Sequence, residues 1–175
     1  MTEPVQEIVV RSDVAPDGSY VVAMEFGPDE SFILDRQGAR DWATSVIAAA
    51  AAADYDAAVL RQLSAIEGME REHTAQIISD LRAERPATRT GPLELVPGVS
   101  NRDGRGFLTI HLHGKVQGQW ELDDALSHAL AVVEVEAIVD LDATYRKVLV
   151  GLVGLDDLRA RNVVAQLEEH RRPMT

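Results

Sequence analysis

The residues best suited to chemistry in this 175-residue chain are His111 and His113, one residue apart in a strand-like segment, and His128, which follows on a helical pattern beyond Asp123 and Asp124. Residues at i and i+2 of a strand share a face, so two imidazoles there with a third from the next helix could hold a metal ion and serve a hydrolase. The alternation opposes this. Leu108, Ile110 and Leu112 take the core-directed face, which sends His111 and His113 to the outer face of the sheet, as solvent-exposed or interface side chains.

Asp54-x-Asp56 and Asp140-x-Asp142 form the second constellation. Carboxylates at a helix start accept hydrogen bonds from unpaired backbone N–H groups and oppose the helix dipole, so capping accounts for both pairs. A divalent-cation site would need further oxygen ligands that are not evident nearby. Arg159, Arg161, His170, Arg171 and Arg172 make the one basic concentration. They suit either the negative end of a last helix or an acidic partner surface, including the acidic first half of a neighbouring subunit. Asp103-Gly104-Arg105-Gly106 precedes a strand and reads as a hairpin turn, not a phosphate loop. Neither a Gly-x-Ser-x-Gly elbow nor a His-Glu-x-x-His pair occurs, and no cofactor is implied.

The elements that must position these residues are written twice. The segment from Asp54 lies without gaps on the segment from Asp140, an offset of 86, with coincidences at Asp54/Asp140, Asp56/Asp142, Ala57/Ala143, Leu63/Leu149, Gly68/Gly154, Leu81/Leu167 and Arg85/Arg171. Upstream, Asp17-Gly18 falls on Asp103-Gly104, and Val22, Met24 and Phe26 fall on Leu108, Ile110 and Leu112. The spacing predicts an α+β fold by internal duplication. Each copy is expected to carry about three antiparallel strands and about three helices, the first helix ending near Ala53, the next capped by Asp54, and Gly68 breaking before the last. The second copy follows the same scheme. Pro86 to Pro92, with two prolines and a glycine, marks the boundary between residues 1–86 and 87–175, two units expected to pack together as one pseudo-symmetric body. Alanines 48 to 53 suit either close packing against another element or a solvent-facing stretch of strong helix former.

Composition narrows the function. A hydrophobic fraction of 46% with 26% charged residues is that of a globular chain, and the absence of cysteine excludes disulfides and thiolate chemistry. The net charge of −12 disfavours direct binding to nucleic acid or an anionic membrane. Residues 1–86 hold 16 acidic and 7 basic side chains against 13 and 10 in the remainder, so any acidic recognition surface belongs first to that half. The αα-hairpins around Gly68 and Gly154 open their second helices with acidic residues, the opposite of a DNA-reading helix. The acidic N-terminus has no signal-like apolar core, and the apolar run from Val46 to Ala53 is too short to span a bilayer, so a cytoplasmic protein is expected.

Phe32-Ile33-Leu34-Asp35 leading into an alanine-rich helix and then Asp-x-Asp-Ala-Ala resembles small acidic tandem-repeat proteins encoded by actinobacterial phages. The resemblance implies a phage accessory or virion-associated role in a bacterial host cell and transfers no catalytic residue. The expectation is a non-enzymatic interaction protein that binds a protein partner or another copy of itself, as an assembly component or an inhibitor of a host factor. The alternatives are a metal- or small-ligand-binding protein using His111, His113 and His128, and an acidic mimic of DNA.

Overall fold

A computed structural model describes residues 8–26, 30–85, 88–100 and 102–171. The chain is α+β, with two antiparallel sheets and four helices among the described residues. The first sheet is a meander of β1 (Ile8–Val14), β2 (Tyr20–Phe26) and β3 (Glu30–Leu34). Ser12, Val22 and Leu34 stand abreast in it, as do Val10, Met24 and Phe32. The second orders β4 (Thr88–Thr90), β5 (Leu93–Val99), β6 (Gly106–Leu112) and β7 (Lys115–Glu121). β4 lies in the segment read as the boundary between the halves: Gly91, at φ +59°, turns the chain back so that Thr88 pairs with Leu95.

Turn chemistry sets these strands. Gly18 and Gly104 both take positive φ, +83° and +70°, and the preceding aspartates accept from the backbone N–H two residues on, Ser19 at 2.9 Å and Arg105 at 3.2 Å. The hairpin between β6 and β7 has the two-residue loop His113-Gly114, with φ of 50° and 76°. Positive φ at both positions matches the right-handed strand twist.

Each half has two helices, not three. α1 runs unbroken from Arg36 to Ser64 and α3 from Leu122 to Gly151; α2 (Arg71–Ala83) and α4 (Asp157–Arg171) follow them. The helix break expected at Asp54 does not occur, because residues 48–57 contain neither glycine nor proline and an aspartate costs a helix only tenths of a kcal/mol, about 0.5. Asp54, Asp56, Asp140 and Asp142 therefore sit inside long helices and cap nothing. Asp35 does cap α1, accepting the Gly38 N–H at 2.7 Å. Gly68 and Gly154 make the expected breaks, at φ +80° and +77°.

The long helices are exchanged. α1 lies on β5 and β6, α3 lies on β2 and β1, and the two helices pack on each other. One core results, in which Val22 and Met24 of the first sheet and Leu95, Leu108 and Ile110 of the second share cover with Trp42, Val46 and Val132. The alanine run divides: Ala49, Ala50 and Ala53 are buried while Ala48 and Ala51 face outward. A methyl group at Gly106 would stand 2.9 Å from the Ala53 carbonyl oxygen, so β6 touches the α1 backbone directly. Among the described residues α1 alone is long and apolar enough, by length and composition, to cross a membrane; it is also the helix at the centre of this core.

Candidate functional site

The three histidines do not converge. His111 is half-buried on the outer face of β6, abreast of Glu94 and Val116, and His113 is an exposed turn residue. His128 lies on the other side of the sheet, in the core seam. The Trp42 indole N–H donates to its Nε2 at 3.1 Å, and the Trp120 ring, on the same face as Leu108, lies 4.6 Å from it between centroids. No group of three potential ligands able to hold a metal ion occurs among the described residues. Burial pushes the His128 pKa down to about 4, so its imidazole is neutral at pH 7, with Nε2 accepting and Nδ1 carrying the proton.

The repeated aspartates anchor the fold. Asp56, fully buried, pairs with Arg82 at 3.0 Å and Arg85 at 2.6 Å and so ties α2 to α1. Asp142, equally buried, accepts from the Ser12 hydroxyl of β1 at 3.3 Å. Spacing alone missed the Asp56 role, since its partners lie 26 and 29 residues away across a turn. Glu136, buried in α3, meets Arg36 and Arg40 of α1. Burial would raise its carboxyl, but the two guanidinium hydrogen bonds outweigh that and hold it below the usual carboxylate range.

Two of the C-terminal cations have acidic partners at the start of α4. Arg159 pairs with Asp156 at 3.2 Å on the surface, and Arg161 pairs with Asp157 at 2.7 Å while its guanidinium covers Gly18. Arg171 closes α4, and Arg172 lies outside the described residues.

Three surface features remain. The outward face of α3 is apolar along its length: Leu126, Leu130 (63% exposed) and Val133 in its first half, Leu141, Tyr145 and Val148 in its second, and Leu152 (84%) just beyond. Two clefts flank the long helices, one of about 850 Å³ between α1 and the start of β6, the other of about 610 Å³ between α3 and the start of β2. Compared with known protein families, curated proteins and solved structures, the chain finds no match in any of the three.

Proposed function

We propose that this is a non-enzymatic interaction protein, built from two related strand-and-helix units, that associates through the outward face of α3 with a second copy of itself. The observation that carries the reading is the apolar stripe. Positions 126, 130, 133, 137, 141, 144 and 148 follow the helical repeat, apolar except for Thr144, which Tyr145 flanks, and Leu126 to Val148 extends about 33 Å at 1.5 Å per residue. An exposed apolar face this long on a chain of net charge −12 is the kind of surface that association covers. The stripe is also symmetric about Ala137. In an antiparallel pair Leu126 meets Val148, Leu130 meets the methyl-bearing Thr144, Val133 meets Leu141, and the small Ala137 side chains allow close approach.

The duplication belongs to the same proposal. Its support is the matched environments at the offset of 86: Asp56 and Asp142 both buried, Asp54 and Asp140 both exposed, and Gly18/Gly104 and Gly68/Gly154 all at positive φ. An assembly component of a phage particle, or an inhibitor that covers a host protein, would both use such a face. The histidine-based reading has no converging ligands to support it.

Sedimentation of the wild-type chain and of the double variant Leu130→Glu, Leu141→Glu tests the proposal. The wild type should run as a dimer and the variant as a monomer with unchanged helix content. A monomeric wild type across the accessible concentration range would overturn it.

A further inference from the structure

We propose that His128 is a two-position latch in the seam between the halves: docked, its neutral ring holds α1 to α3 through Trp42, and protonated, it turns out towards Asp124 and lets the seam open. Trp42 and His128 lie 86 residues apart, at corresponding positions of the two halves, and meet where the long helices pack on each other. Every buried position within a turn of them is apolar: Ala39, Ala43 and Val46 on α1, Ala125, Ala129 and Val132 on α3. The hydrogen bond from the Trp42 indole N–H to Nε2, at 3.1 Å, is thus a polar contact set in an apolar crossing.

That bond exists only while Nε2 is bare. A second ring proton sets N–H against N–H, and the resulting charge has no counter-ion where the ring is docked. α1 presents Trp42 to it, β7 presents Trp120, with ring centroids 4.6 Å apart, and β1 presents Ile8 and Val10 along the adjoining cleft, none of them charged. Burial alone lowers the pKa of the docked ring, to about 4, and no neighbouring charge contributes. The carboxylate at hand, Asp124, belongs to α3 itself.

A cleft of about 410 Å³ gives the ring somewhere to go. Ile8, Val10, Trp120 and Ala131 wall it, and Asp124 lines it beside His128. Asp124 is exposed and has no ion-pair or hydrogen-bond partner among the described residues. Side chains four apart on a helix are neighbours, and each leans towards the helix N-terminus, so rotation about the side-chain bonds carries the His128 ring back over the turn that bears Asp124. The swing leaves the Trp42 indole without an acceptor and a void beside Trp120, and both loosen the packing of α1 on α3. Trp42, Val46 and Val132, fully buried in the closed seam, then meet water. The latch is separate from the association face, since Leu126 and Leu130 lie two residues to either side of His128, about 200° around the helix.

Tryptophan fluorescence with acrylamide, read beside far-ultraviolet circular dichroism from neutral pH to about pH 4, tests the latch, because both tryptophans of the chain flank the His128 ring. Acrylamide quenching of the full chain should rise severalfold between pH 6.5 and about 4 while helix content keeps its neutral-pH value. Asp124→Asn, a surface change, should move the midpoint to lower pH by about 0.3, the size of a charge pair on a helix surface. His128→Gln, which keeps an acceptor for Trp42 and cannot titrate, should abolish the rise. Quenching that stays flat in the wild type, a rise that survives His128→Gln, or a midpoint unmoved by Asp124→Asn would overturn the proposal. So would loss of helix in step with quenching, which would mean that acid unfolds the whole chain instead of opening its seam.

Discussion

The Trp42 indole and the His128 imidazole meet in the seam between the two halves, and the hydrogen bond between them requires Nε2 of His128 to be unprotonated. Burial holds the folded-state pKa near 4, below the ordinary 6.5, so between those values the unfolded chain binds more protons than the folded one. Stability is therefore full above about pH 6.5 and falls as pH drops towards 4, by up to about 3 kcal/mol at 1.36 kcal/mol per unit. Denaturant unfolding at pH 7 and pH 5 measures this slope, and His128→Phe should flatten it. A wild-type slope that survives the substitution would assign the titration to another group. Asp56 is the second residue whose removal should be costly. Asp56→Asn leaves Arg82 and Arg85 without their carboxylate, a loss of about 3 kcal/mol for breaking a buried pair. In that variant hydrogen exchange should show α2 opening first, since among the described elements it packs on α1 alone and the Asp56 pairs tie it there. Sequence revealed that Asp56 and Asp142 matter, through their repetition, but not why. A buried carboxylate and a capping one look the same until the helix boundaries are known.

At the scale of elements, alternation and turn residues made the strands legible: the core face of Leu108, Ile110 and Leu112 and the turns at Gly18 and Gly104 stand where their pattern places them. The helices were less so, because capping residues are permitted signals and not commands. Asp54 and Asp140 have the right chemistry to start a helix, yet without a glycine or proline before them the preceding helix continues. β4 was hidden for a related reason, since a segment with two prolines and a glycine can still hold three paired residues once Gly91 reverses the chain. The close approach of β6 to α1 yields a prediction at this scale. Gly106→Ala places a methyl group 2.9 Å from the Ala53 carbonyl oxygen, and backbone on both sides has little room to yield. Overpacking of this kind costs about 1–3 kcal/mol. A thermal midpoint equal to that of the wild type would mean that strand and helix separate more easily than their packing indicates. Gly104→Ala is a poor control, because strain at its positive φ would add a separate cost.

The whole molecule depends on the exchange of long helices, and here pairing positions 86 apart could not show which sheet each helix covers. α1 covers β5 and β6, α3 covers β1 and β2, and Arg36 and Arg40 of the first half hold Glu136 of the second. A chain cut between the halves loses all of these at once. Residues 1–86 alone would leave Val22 and Met24 of β2 without α3 over them, and Trp42 and Val46 without the second half of the core. Units of this size are marginal even with an intact core. Moreover, a second copy of the first half is a poor substitute for its partner, since the position matching Glu136 is Ala50 and offers Arg36 no carboxylate. Each half by itself should therefore lack a cooperative unfolding transition, and mixing residues 1–86 with 87–175 should restore one, with helical circular dichroism close to that of the intact chain. Cooperative unfolding of monomeric 1–86 alone would show that each sheet can recruit the helix of its own half, and that the exchange follows folding where the packing described above requires it to be part of folding.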